Sequence, residues 1–397
     1  MRDVLFDVKK TFLKTIVDKI IVDKIIVKSI DNFQHELSIK FKFPYINDGL
    51  IYNDINDKSK GYILKDGSYS KKNFFNTTRL WWSSFVYGAF IKSPALWVVY
   101  DCKKRGQMLM YKILVTGGCG FIGSHLCERL AQYKNNDVYS LDNYSMGSVD
   151  NHVENVTYIT GDTIDIDKLV LFRPDIVFHL GEYSRVEQSF DDIEKVWKYN
   201  KSGTFAVLEF VKKARCKIVY AGSSTKFADG GLGKSESPYA WTKASNTELV
   251  INFGVWFNVS YAITYFYNVY GNREIKTGKY ATVIALFNEK MRNGEPLTIV
   301  SPGSQIRNFT HIDDIVSGLI LVGANGFGDG FGIGCKESFS IYEIAKMFGG
   351  KIKMLPERKG NRMNASVITN KSEALGWKAT KSVIDYIKEL KKNDWRN

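Results

Sequence analysis

The stretch "KILVTGGCGFIGSHL", Lys112–Leu126, constrains this chain more than any other. A short apolar run, Ile113–Thr116, ends on Gly117. Gly120 and Gly123 follow at intervals of three, and a helical pattern begins there. The first glycine permits a tight turn, the second lets backbone approach a pyrophosphate, and the third lets helix pack on strand. The N-terminus of such a helix offers free N–H groups and partial positive charge to phosphates. A second acidic signal fits the same scheme. Asp142 closes the next apolar run, "VYSLD", 19 residues after Gly123. A carboxylate there accepts from adenosine ribose hydroxyls and repels a 2′-phosphate, so the pattern predicts NAD rather than NADP.

From Met110 onward, apolar strand-like runs alternate with helical patterns: "KILVTG", "HLCERLAQY", "DVYSLD", "DIVFHLG", "GTFAVLEFVKKA", "KIVYAGSS", "YAWTKASNTELVINFG" and "YAITYFYNVYG". This alternation predicts an α/β fold, a doubly wound parallel sheet with helices on both faces. With 397 residues the chain has room for two domains or more.

Five cysteines, Cys102, Cys119, Cys127, Cys216 and Cys335, are scattered without a CxxC pair. That arrangement argues for a reducing compartment, here the cytoplasm, and against a disulfide framework. The histidines form no HExxH-type pair, so no metal site is expected. The one membrane candidate, Leu80–Tyr100, is interrupted by Lys92 and Pro94 and reads as a buried or interfacial segment. No membrane association is expected.

The net charge is +13, and residues 1–110 carry 19 Lys and Arg against 11 Asp and Glu. If any part of the chain contacts nucleic acid, it is this basic extension; a solvated face is the commoner meaning of such a bias. It holds a near repeat, "KIIVDKIIVKS" (Lys19–Ser29). "HELSIKFKF" (His35–Phe43) then alternates polar and apolar residues as a half-buried strand does.

"SPYAWTK" carries Tyr239 and Lys243, four apart and therefore on one face of a helix. Ser237 is suited to the N-cap and Pro238 to the first turn. A lysine cation beside a phenol favours the phenolate, which suits proton transfer with a sugar hydroxyl during hydride transfer. "YAGSST" brings Ser223, Ser224 and Thr225 to the end of the preceding strand. Of these, Ser223 is the favoured donor to a reacting oxygen.

Residues 110–397 resemble the extended short-chain dehydrogenase/reductases, in particular the NAD-dependent epimerase/dehydratase group that acts on nucleotide sugars. The resemblance rests on "VTGGCGFIGSHL", "LDNYSMG", "GDTID", "PDIVFHLGEYSRVEQS", "YNKSGT", "YAGSST", "SPYAWTK", "YFYNVYG", "RNFTHIDDIVSG" and "LGWK". It implies a Rossmann-type NAD-binding domain over residues 110–270, with a return segment at about 312–335. A smaller α/β substrate-binding domain would occupy most of 271–397. Residues 1–109 would be an N-terminal extension of uncertain fold.

The resemblance also implies site roles. Gly117, Gly120, Phe121, Ile122, Gly123, Asp142 and Asn143 would hold the cofactor. Asp162 would contact the adenine with Thr163 beside it. Leu180, Gly181 and Asn200 would lie along the pyrophosphate and ribose. Ser223, Tyr239 and Lys243 would form the catalytic set, the last two also touching NAD. Asn268, Arg307 and Arg358 would bind the substrate, the arginines matching diphosphate geometry in bidentate fashion. A homodimer through helices that include the Tyr239 helix is expected as well.

Two departures stand out. Glu182 follows Gly181 where the family has small residues. A buried carboxylate needs a partner, and Arg185 is the candidate in the sequence. Asn361 stands where the family often has Asp for a nucleotide ribose. Ser224 and Thr225 occupy positions where dehydratases carry an Asp–Glu pair. The expected activity is therefore C4 epimerisation through a 4-keto sugar, UDP-glucose 4-epimerase-like. A decarboxylase or dehydratase of the same family is the nearest alternative. A non-catalytic NAD-binding protein with a nucleic-acid-contacting extension is the alternative from another class. Residues 12–60 also resemble the C-terminal tail of large serine recombinases, so the extension reads as a fusion remnant or an accessory segment.

Overall fold

The computed structural model describes residues 22–29, 35–41, 62–63, 69–70, 111–227, 233–357 and 367–396. The chain divides into two compact units, Met1–Lys92 and Ser93–Asn397. In the first, β1 (Val22–Ser29) pairs antiparallel with β2 (His35–Phe41). Two short strands, β3 (Tyr62–Ile63) and β4 (Tyr69–Ser70), form a second antiparallel pair. The alternating stretch after His35 is thus a strand. The apolar segment Leu80–Tyr100 lies outside the described residues.

The second unit opens with β5 (Tyr111–Thr116), α1 (Phe121–Ala131), β6 (Asn136–Asp142) and β7 (Val156–Thr160). There follow α2 (Ile166–Leu169), β8 (Ile176–His179), α3 (Ile193–Val196), α4 (Thr204–Ala214), β9 (Lys217–Ser223), α5 (Pro238–Phe257) and β10 (Tyr261–Phe266). Between α3 and α4, Trp197–Gly203 is a π-helical turn, a widening that often marks functional sites. The remainder contains β11 (Val269–Tyr270), α6 (Val283–Arg292), β12 (Leu297–Val300), β13 (Ile306–Asn308), β14 (Thr310–His311), α7 (Ile312–Asn325) and β15 (Gly328–Ile333). It ends with β16 (Ser338–Ser340), α8 (Ile341–Phe348), β17 (Ile352–Leu355), α9 (Asn370–Ala374) and α10 (Val383–Lys392).

Seven parallel strands form one sheet in the order β15–β10–β9–β8–β5–β6–β7. Because side chains alternate along a strand, each central strand feeds two cores. Leu114, Val177, Ile218 and Tyr220 pack with Val207, Leu208 and Val211 of α4 and with Val250 and Phe253 of α5. Ile113, Val115, Phe178 and Val219 pack the other way, on Leu126 and Leu130 of α1 and Ile315 and Leu319 of α7. This is the Rossmann-type architecture that the alternating pattern implied. A third core joins α6, α8, α10 and the parallel pair β12–β17 around Phe287, Leu297, Ile344, Phe348 and Ile387. The C-terminal segment is tied back to α7 through Asp314. Its carboxylate accepts the Thr380 and Lys381 N–H groups, both at 3.0 Å, and its carbonyl accepts Trp377 Nε1 at 2.9 Å.

Lys217 opens β9 with a side chain 1% exposed. Its ammonium donates to the Val322 and Gly323 carbonyls at the end of α7 (3.2 and 2.6 Å) and lies 4.3 Å from the Phe327 ring. The Val322 carbonyl also accepts the Gly326 N–H at 2.8 Å, and a cation at this helix end suits the helix dipole. Burial nonetheless pulls the lysine down to about 7 from 10.5. Between those two values the unfolded chain binds more protons than the native one, so this group makes stability rise with pH. Lys217→Met removes that linkage. The stability of the wild type relative to Lys217→Met should climb between about pH 7 and 10, with a slope approaching about 1.4 kcal/mol per unit. Denaturant unfolding at several pH values measures it, and a pH-independent difference would contradict the assignment.

Candidate active site

The strand order reverses between β5 and β8, and a crevice opens beyond the carboxyl ends of these two strands, where ligands bind in such sheets. Here the glycine turn meets the "HLG" segment. Gly117 adopts φ +72°, and a methyl group on it would lie 2.8 Å from the Gly181 Cα. A methyl on Gly123 would lie 2.0 Å from the Gly117 carbonyl oxygen. Both glycines are therefore demanded by close backbone approach. No side chain caps the N-terminus of α1 and its first turn holds no acidic residue, which leaves its N–H groups available to an anion.

A cavity of about 700 Å³ runs from this turn across the ends of the strands. Gly117, Gly120, Phe121, Ile122, Gly123, Asp142, Asn143, Thr163, Leu180 and Gly181 line one part of it. Ser223, Tyr239, Lys243, Asn268 and Arg307 line the other. Asp162 and Asn200 sit behind the wall. The Asp162 carboxylate is held by Asn143 Nδ2 and by Lys198 Nζ at 2.6 Å. Burial raises its pKa, but these two partners outweigh that and hold the group below its ordinary value. The fully buried Asn200 spends its amide on the Tyr183 backbone and on Thr242 Oγ1 (3.0 Å). Arg358 and Asn361 lie outside the described residues.

Asp142 is 7% exposed at the end of β6. Its oxygens accept the Cys119 and Tyr144 N–H groups at 2.9 and 2.8 Å. Burial pushes the carboxyl up, partly offset by these bonds. Each oxygen keeps lone-pair capacity for a further donor.

Ser237 caps α5 by accepting the Ala240 N–H at 3.1 Å, with Pro238 in the first turn. This start sets Tyr239 and Lys243 one turn apart over the end of β9. Tyr239 donates to Ser223 Oγ at 3.2 Å, and the Ser223 and Thr225 hydroxyls share a hydrogen bond at 2.9 Å. Lys243 donates to the Ala221 carbonyl and to the Glu182 carboxylate.

That last bond corrects the sequence expectation for Glu182. Its partner is Lys243, and Arg185 turns to the Tyr280 carbonyl (3.0 Å) and to its neighbour Ser184. Glu182 Oε1 also accepts Thr204 Oγ1 (2.7 Å), Tyr220 OH (3.2 Å) and Asn246 Nδ2 (2.9 Å). Burial works to raise this carboxyl, but Lys243 and these donors hold it below its ordinary value.

A chain of bonds links the glycine turn to this carboxylate. The Gly181 N–H donates to Thr116 Oγ1 (3.1 Å), which lies 2.7 Å from His179 Nδ1. His179 Nε2 lies 2.9 Å from Thr204 Oγ1, the hydroxyl that donates to Glu182. Donor and acceptor roles are consistent only if His179 carries its proton on Nε2. Burial lowers this imidazole to about 4, so it is neutral.

A family model, the NAD dependent epimerase/dehydratase family, matches residues 113–334. The chain belongs to this family. It is 29% identical over 303 residues to a putative UDP-glucose 4-epimerase of Methanocaldococcus jannaschii, spanning 70% of this chain and 96% of that protein. It is 27% identical over 291 residues to UDP-glucuronic acid decarboxylase 5 of Arabidopsis thaliana, spanning 67% and 84%. The solved UDP-glucose 4-epimerase of Thermotoga maritima, bound to UDP-glucose, superposes with a TM-score of 0.66 at 27% identity, covering 71% of this chain and 99% of that one. Among the relatives are epimerases and decarboxylases alike.

The cofactor of this epimerase/dehydratase family member is NAD. The chain's residues fit it: a glycine turn with no room for side chains, an uncapped helix N-terminus, and Asp142 beyond them. Two further cavity residues were not among the site residues expected from the sequence, where Arg185 stood only as a partner for Glu182. Arg185 lines the wall near Tyr239, and Glu274 accepts the Gly271 N–H at 2.8 Å and the Thr282 hydroxyl. Burial raises Glu274 to about 7. Only tertiary packing buries it. The glycine geometry is open to a direct test. Gly123→Ala should cost about 1–3 kcal/mol of stability through overpacking and abolish NAD binding in titration calorimetry. An alanine variant with wild-type melting and binding would refute the close approach.

Proposed function

We propose that this protein is a nucleotide-sugar 4-epimerase of the UDP-glucose 4-epimerase type. The observation that carries the reading is the placement of Tyr239 OH, Ser223 Oγ and Thr225 Oγ1 in one hydrogen-bonded row on the cavity wall. Tyr239 takes the proton of the sugar 4-hydroxyl and later returns it. Ser223 holds the same oxygen by a hydrogen bond as it becomes a carbonyl. NAD, when bound, accepts and returns the C4 hydride. Ser224 and Thr225 offer hydroxyls where expulsion of water calls for a pair of carboxylates, which favours epimerisation over dehydration. Asn268 and Arg307 face the cavity where a nucleotide sugar would be held, Asn268 braced by donating to the Asn308 carbonyl at 2.9 Å.

A C4-deuterated UDP-glucose tests this. Formation of UDP-galactose with the deuterium retained is the expected result, and it should disappear, by about 10²-fold or more, in Tyr239→Phe. Loss of water, or of carbon dioxide from UDP-glucuronate, would assign the dehydratase or decarboxylase reaction instead.

The protein acts, we propose, as a homodimer in the cytoplasm. The four described cysteines are free, which suits a reducing compartment. Among the described residues no helix is long and apolar enough to cross a membrane. Exposed on α5 are Trp241, Val255 (75% exposed), Trp256 (59% exposed) and Phe257, with Trp197 stacked on Trp241 at 5.9 Å between centroids. Large apolar surface of this kind is covered in most stable proteins. The mass in solution should be that of two chains, falling to one in Trp256→Glu. A wild-type monomer would overturn the dimer.

A further inference from the structure

Lys243 has three ammonium protons. Glu182 takes one and the Ala221 carbonyl another, with the Tyr220 ring 4.7 Å from the cation. Among the described residues nothing receives the third, and Lys243 lines the cavity. Glu182 cannot turn away to follow a ligand. Its side chain is 3% exposed, and Thr204, Tyr220 and Asn246, from three different elements, all donate to its other oxygen. The charged or titratable groups around it are His179, Tyr220, Lys201 and Lys243. His179 is neutral, and Lys201 donates to Asn246 Oδ1 (2.9 Å) and to Ser245 Oγ (3.1 Å). Lys243 is thus the cation that Glu182 faces.

We infer that Glu182 is a positioning residue for the reaction. It fixes Lys243 with one N–H left for the cofactor, and it cancels the lysine's charge at the end of the cleft where the nicotinamide must lie. The inference rests on the reading that NAD reacts beside Tyr239. The glycine turn and Asp142 would hold the pyrophosphate and adenosine, which would leave the Tyr239 end for the nicotinamide. An oxidised nicotinamide ring is a cation and a reduced one is neutral. An uncompensated ammonium beside it would therefore favour the reduced cofactor. With Glu182 in place the pair is neutral overall, and the oxidised form needed to begin each turnover is not penalised.

The test is the ratio of NADH to NAD⁺ affinity, measured by titration calorimetry on the full chain without substrate. In Glu182→Gln the ratio should move towards NADH by roughly tenfold. In the double variant Glu182→Gln/Lys243→Met it should return to the wild-type value, because both charges are gone. A purely structural role would weaken both nucleotides alike and leave the ratio unchanged. Should Glu182→Gln fail to fold, Lys243→Met alone is decisive, with the ratio moving towards NAD⁺. An unchanged ratio in a folded single variant overturns the inference, and so does a wild type that binds neither nucleotide. Absence of sugar turnover with the ratio shift intact would count against the epimerase reading alone.

Discussion

The backbone after β5 lies directly against the backbone after β8, with the Gly117 and Gly181 main chains too close for a side chain between them. This contact forms where the strand order reverses. The cleft exists because these two strands diverge into helices on opposite faces there. The rest of the site is hung from the same place. Gly123 brings α1 onto the turn, Thr116 Oγ1 accepts the Gly181 N–H, and His179 carries the bonding inward to Thr204 and Glu182. A phosphate cradle at one end and a buried carboxylate at the other are thus joined by a continuous row of satisfied polar groups.

Such a row is costly unless every member is paired, since an unsatisfied buried donor or acceptor loses its hydration without return. Glu182 meets that condition with four donors. Lys243 meets it only in part, holding back one N–H in the cavity. The incomplete pairing of a buried cation is what makes this end of the cleft receptive to a ligand. Lys217, buried at the start of β9, shows the contrast. It has no carboxylate partner and leans on two helix carbonyls, so burial lowers its affinity for the proton.

The smaller C-terminal part closes the cleft from the other side. Its own core around Phe287 and Phe348 takes in Leu297 and Ile299 of β12, β13 pairs with β16, and the two strands carry Val300 and Arg307 to the cavity. Asp314 of α7 accepts the Trp377 indole N–H of the closing "LGWK" segment and the Thr380 and Lys381 N–H groups just after it. The last residues of the described chain are thereby fixed to the sheet domain.

The sequence alone determined the architecture and the local parts of the site. Strand and helix periods, the GxxGxxG spacing, the Ser237 cap and the one-turn interval between Tyr239 and Lys243 are all short-range, and short-range sterics and hydrogen bonding enforce them. Only the tertiary structure decided what meets across the fold. Glu182 and Lys243 stand 61 positions apart, and proximity in sequence pointed to Arg185 instead. Thr163 faces the cavity while Asp162, its neighbour, is drawn to Asn143 and Lys198. Asn200 is turned inward by a π-helical widening that no spacing rule reveals. These outcomes depend on which buried charges and amides find partners in three dimensions. Burial raises the cost of each unpaired group until one arrangement satisfies them together.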